Sequence, residues 1–122
     1  MLELGSAEPG NGPDEINWHD GVLVDLRFSG FEANEPEFTL IVDLYPNDDR
    51  SAVRRRYHCV GTGVARFIMS GDIARLFKNR ASGNIDLLRM EFTADTEILV
   101  VCLFGGTIEV EARSFRLMES ST

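Results

Sequence analysis

From Ile98 to Phe104 the chain runs through seven apolar residues, and Gly105-Gly106 closes the run before an alternating stretch from Thr107. This pattern reads as the central strand of an antiparallel sheet with both faces at least partly covered. Two earlier segments alternate with period two. Val22, Val24, Leu26 and Phe28 share one face while Asp25 and Arg27 take the other; Phe38, Leu40, Val42 and Leu44 repeat the pattern. Pro46-Asn47-Asp48-Asp49 forms a turn, and a third strand covers Val53–Val60 until Gly61 and Gly63 interrupt it. Val64–Met69 fits a short strand or a helical turn. Asp72–Arg80 reads as a helix, because Ile73, Leu76 and Phe77 fall at i, i+3 and i+4. Ser70 or Asp72 caps its start, Lys78 and Arg80 suit the negative end of its dipole, and Gly83 terminates it.

Pairing at the C-terminal end follows from the turns. With Gly105-Gly106 as a two-residue loop, Leu99, Val101 and Leu103 oppose Ala112, Val110 and Ile108 on one apolar face. On the reverse face Ile98, Val100 and Cys102 then oppose Arg113, Glu111 and Glu109. A tight turn at Ala94-Asp95 sets Leu88 and Met90 against Val101 and Leu99. The result is a meander of Ile85–Phe92, Glu97–Phe104 and Thr107–Phe115. Its reverse face is apolar in the middle strand, so water is not its only neighbour. The helix over 72–80, or a second copy of the chain, is expected to cover Ile98, Val100, Leu87 and Ile85. Each such burial contributes about 1.5–3 kcal/mol. The predicted fold class is α+β: a curved, mainly antiparallel sheet of about six strands, a roll or partly closed barrel, with one short helix. Residues 1–15 read as a flexible lead-in, 16–118 as a single β-rich domain and 119–122 as a tail.

Composition narrows the function classes. A chain of 122 residues fits one domain. A formal charge of −8 opposes nucleic-acid binding, which needs cations for phosphates, and favours a basic partner. No apolar run approaches the roughly 18 residues that span a bilayer, and no secretory signal is visible at the N-terminus, so no membrane association is expected. Cys59 and Cys102 read as reduced thiols in strands, consistent with a cytoplasmic protein.

Candidate chemistry is sparse. Trp18-His19-Asp20 precedes the first strand, where His19 is a candidate base or part of a binding edge; neighbours in a strand point apart, so His19 and Asp20 pair poorly by themselves. The structural reading has Trp18 anchoring the chain and Asp20-Gly21 setting a turn. Arg54, Arg55 and Arg56 form a basic cluster with Arg50 nearby, Arg54 and Arg56 sharing a face with His58. Guanidinium groups there suit a phosphate or carboxylate ligand, or serve as a charged edge that balances Asp43, Asp48 and Asp49. His19, His58, Cys59 and Cys102 have the residue types of a zinc site but not its spacing, so no metal or cofactor is expected. Gly61-Thr62-Gly63 lacks the remaining residues of a phosphate loop, and no serine occupies a Gly-x-Ser-x-Gly elbow.

Trp18-His19-Asp20-Gly21-Val22-Leu23, the alternating first hairpin and Ala81-Ser82-Gly83-Asn84-Ile85 together resemble small bacterial β-rich domains, among them immunity proteins encoded beside polymorphic toxins. The resemblance spans roughly Ile16 to Phe115 and implies a stoichiometric binder, not a catalyst. The expected function is therefore a non-enzymatic protein-interaction module with a basic partner or a second copy of itself. The acidic loop Glu32–Glu37 and the turn Asp48-Asp49 are its exposed contact candidates. The alternative is a small-ligand carrier, its curved sheet enclosing an apolar pocket lined by some of the eight phenylalanines. An enzyme would instead need His19 or His58 exposed in a cleft within reach of a carboxylate.

Overall fold

The computed structural model describes residues 2–3, 16–46, 53–80 and 83–120. In chain order these form β1 (Leu2–Glu3), β2 (Ile16–Ser29), β3 (Glu37–Pro46), β4 (Arg55–Gly71), α1 (Ile73–Lys78), β5 (Ile85–Phe92), β6 (Glu97–Leu103) and β7 (Gly106–Glu119). The sheet order is β2-β3-β4-β7-β6-β5, antiparallel throughout, with β1 added against β7 at Leu117 and Arg116. This is a curled antiparallel sheet with one short helix, as the alternation implies. The lead-in from 4 to 15 and the turn residues 47–49 lie outside the described residues.

Two long strands organise the fold. β3 pairs with β4 only over Arg55–Thr62, whereas β6 pairs with β7 only over Gly106–Ala112, opposite the far half of β4. The β4–β7 pair therefore belongs to two sub-sheets and bends from one into the other midway. Gly61 and Gly63 do not end the strand, as the sequence suggests, but allow the bend: Gly63 has φ +69°. Val64–Met69 is accordingly strand. Gly61 faces inward opposite Phe115, and Val64 faces inward opposite Ala112 three residues later. A bulge between Val64 and Arg66 then turns Phe67 and Met69 towards the core.

The inner faces of both sub-sheets meet in one core. Phe38, Leu40, Val42 and Leu44 of β3 are completely buried, as their alternation predicts, and Leu99, Val101, Ile108 and Val110 face them from the other half. The Phe115 ring fills the space above Gly61: a Cβ there would lie 2.7 Å from its Cε1. Gly61→Ala is expected to cost about 1–3 kcal/mol through overpacking. Urea unfolding checks this, and an unchanged midpoint would show that the ring yields freely.

Several faces differ from the sequence reading. In β2, register shifts between Asn17 and Val22 and between Leu23 and Asp25 break the alternation, so Leu23 and Leu26 pack on the core while Val24 is exposed. At the β6–β7 hairpin the loop is Phe104-Gly105, with Leu103 opposite Gly106, Val101 opposite Ile108 and Leu99 opposite Val110. Gly105, at φ +124°, supplies the turn conformation. The slip of two positions leaves every side chain on its predicted face. Leu88 and Met90 oppose Val101 and Leu99 as expected.

The helix does not cover the outer face of the meander. Asp72 caps it, its carboxylate accepting the Arg75 N–H at 3.2 Å, and Gly83 N–H donates to the Asn79 carbonyl after its end. Only Leu76 enters the core, whereas Ile73 and Phe77 are 57% and 60% exposed. The helix closes the end where β2 meets β5. Ile85 belongs to the core and Leu87 is exposed, so neither needs its cover. Val100 is nevertheless buried on the outer face, between Arg89 and Glu109 of its neighbouring strands. Arg66 bridges Glu109 at 2.9 Å and Glu111 at 3.7 Å over the same face. Long charged side chains screen an apolar row with their stems while their heads stay wet.

Candidate functional site

The seam between β2 and β5 brings together part of the predicted set. Asp20 adopts a left-handed conformation, φ +64°, within the first register shift of β2, between Asn17 and Val22. Strict alternation fails there, and His19 Nε2 comes within 3.6 Å of Asp20 Oδ1, a closer approach than neighbouring strand residues normally make. His19 Nδ1 lies 2.9 Å from the main-chain oxygen of Asp86 and 3.3 Å from its Oδ1. A carbonyl only accepts, so Nδ1 carries the proton and Nε2 faces Asp20. The ring edge rests on Phe104. This places a half-exposed imidazole between two carboxylates, where it ties β2 to β5. Asp86 has no signal in the sequence, since only the curl of the sheet brings it to His19.

Trp18 is buried in the core beside this seam, consistent with an anchor. Asn84, also buried, is its structural centre. Asn84 N–H donates to the Gly21 carbonyl, its Oδ1 accepts from Leu23 N–H at 2.8 Å, and its Nδ2 donates to the Leu76 carbonyl at 3.2 Å.

The arginine cluster is divided among partners. Arg54 Nε donates to the Asp20 carbonyl at 3.2 Å and its guanidinium lies 4.8 Å from the centre of the Tyr45 ring, linking the cluster to the seam. Arg56 grips Asp43 bidentately at 2.9 and 3.1 Å, and these hydrogen bonds hold its guanidinium above the ordinary arginine range. Arg55 sits 3.7 Å from Glu119. With Ser120 these residues line an open polar depression of about 440 Å³. Such a surface can exchange an internal carboxylate for an external anion, at the cost of the Arg56–Asp43 pair. His58 lies apart from His19, opposite Ile41 and Met118, so the two histidines do not join. Among the described residues no three histidine, cysteine, aspartate or glutamate side chains converge on one point. Cys59 is fully buried, and burial pushes its thiol up to about 12. Neither cysteine is in a disulfide, and Cys102 is less buried.

A third location combines acid and aromatic surface. The β2–β3 connection is fixed by hydrogen bonds from Ala33 and Glu35 N–H to the Gly30 carbonyl, with Gly30 at φ +82° and Asn34 at φ +60°. It presents Phe31, 66% exposed, beside exposed Glu32 and Glu35. Glu35 pairs with Arg113 across the bend of β7. Phe31 leans on Phe28, whose ring meets Phe67 edge-on at 4.8 Å. The sequence marks this loop by its acids; the aromatic carried among Gly, Asn and Pro is the signal that charge counting passes over.

No family model matches the chain, and neither the curated proteins nor the solved structures compared with it yield a match. Among the described residues no helix is long and apolar enough to cross a membrane.

Proposed function

We propose that this chain is a non-enzymatic interaction module, a stoichiometric binder of a basic protein of the kind that immunity proteins exemplify. One observation carries the reading: an exposed aromatic side chain, Phe31, held beside Glu32 and Glu35 on a connection whose backbone is already fixed. Aromatic anchors dominate interface energetics, and a fixed loop loses little entropy on binding. The surrounding acids, in a chain of net charge −8, favour encounter with a cationic partner. A ligand carrier would need an apolar cavity. The inner face is instead occupied by side chains such as Phe38, Leu40, Leu99 and Phe115.

The test is in-cell crosslinking of the full chain against the double variant Phe31→Ser with Glu32→Lys. Both positions are solvent-exposed, so the fold should persist. The expected result is a basic partner whose recovery falls at least tenfold in the variant and falls again in high salt. Recovery of the same proteins in equal amount with the variant would overturn the reading.

A further inference from the structure

We propose that the open side of β4, from Ala65 to Gly71, receives an extended basic segment of that partner as an added strand, an inference that rests on the binder reading above. β3 leaves β4 at Thr62, and its last approach is Val64 N–H donating to the Pro36 carbonyl at 2.9 Å. Beyond that point β4 continues for seven residues paired only to β7; among the described residues no strand pairs with its other side. Alternate main-chain N–H and C=O groups along such an edge are open to a new strand.

The remaining edges are handled differently. β1 covers part of the corresponding edge of β7, and Asn84 joins the start of β5 to β2. Past that seam β2 carries a bulge with Asp25 and Arg27, and β5 carries Arg89 and Glu91. Charges and bulges of this type discourage pairing. The β4 edge has its bulge only at its start, between Val64 and Arg66, and beyond it neither proline nor lysine; its single charge, Arg66, is drawn onto Glu109 and Glu111, and Ile68 is 47% exposed.

Charge selects the occupant. The edge begins beside the β2–β3 connection, held there by Val64 N–H on the Pro36 carbonyl and carrying Phe31 and Glu32, with Glu35 already paired to Arg113, and it ends at Asp72. A strand alternating apolar and basic residues complements both ends, its apolar side chains continuing the inner face beside Phe67 and Phe28 and its basic ones the outer face that carries Ile68. A second copy would bring another net charge of −8 to the same edge, which opposes self-pairing.

The test uses the full chain and a nine-residue peptide of alternating valine and lysine. Two controls accompany it, one with glutamate in place of lysine and one with every valine N-methylated. Fluorescence anisotropy should give micromolar binding of the lysine peptide, at least tenfold weaker for either control and at least tenfold weaker for Ile68→Lys. Amide hydrogen exchange should slow at alternate positions within 65–71. Equal affinity for the N-methylated peptide, or binding without slowed exchange at 65–71, would overturn strand addition. A dimer in the absence of peptide, abolished by Ile68→Lys, would assign the edge to a second copy and also overturn it. If the crosslinked partner is lost on changing Phe31 but indifferent to Ile68→Lys, the binder reading stands and the strand addition fails. Absence of any partner sensitive to Phe31 sinks the binder reading itself, whatever the peptide does.

Discussion

Replacing Phe115 with alanine is expected to lower the unfolding free energy by about 3–5 kcal/mol, a loss that urea or thermal unfolding would register directly. The ring is 1% exposed and stands in the row Phe28, Phe38, Gly61, Phe115, which crosses four strands at the bend of the β4–β7 pair. Its cavity would open where the two sub-sheets meet, and the turned backbone around Gly63 leaves the site little freedom to collapse. Coupling to Gly61 makes the expectation sharper. Alanine at 61 clashes with the Phe115 ring in the native chain, but with Phe115 already truncated its methyl has room and fills part of the void. The two substitutions should therefore be clearly less destabilising together than their separate costs imply. Strict additivity would mean that the ring does not occupy the space above Gly61.

Asn84→Ala should cost about 2–5 kcal/mol. The substitution removes two side-chain hydrogen bonds and strands their partners, the Leu23 N–H and the Leu76 carbonyl, at a site where Asn84 is 3% exposed. Each unsatisfied buried group costs about 1–3 kcal/mol. Hydrogen exchange should rise first at Leu23 and in α1, because the seam between β2 and β5 loosens before the rest. Asn84→Asp separates hydrogen bonding from volume. A carboxylate keeps the acceptor for Leu23 but turns an oxygen lone pair on the Leu76 carbonyl. Burial raises the carboxyl pKa in the folded chain above its unfolded value, so the folded state binds more protons. That variant should be more stable in acid and lose stability as pH rises through the folded pKa. Equal stability across that range would argue that the site is open to water.

Much of the architecture is legible because one periodicity governs it. In β3, whose pairing with β4 is regular, four alternating residues identify the buried face without error. In β6 the apolar run gives both the strand and its inward side, and the hairpin slip is silent because two positions restore the same face. Legibility ends where backbone geometry breaks the period. The first shift of β2 contains Asp20 in a left-handed turn, and alternation alone places Val24 inside and Leu23 outside. The helix shows the other limit. Spacing marks Ile73, Leu76 and Phe77 as one stripe, yet a six-residue helix seated on the end of the sheet buries only Leu76. The site is less legible still. His19, Asp20 and Arg54 are visible as residue types, whereas Asp86 and Asn84 join them only through contacts 61 or more positions away in the chain.

The position of β7 in the sheet has a consequence for how the molecule is made. This strand pairs with β4 along almost its whole length on one side, and on the other with β6 over 106–112 and with β1 at Arg116 and Leu117, so it supplies a wall to both halves of the interior. A nascent chain that has emerged only as far as Leu103 holds most of its strands but cannot close either half. Distant chain segments must then meet at a loop-closure cost that local structure does not offset, the regime of slow folders. Until residues beyond 106 arrive, apolar strands stay open to wrong partners, so the ribosome delivers the decisive piece of this protein late.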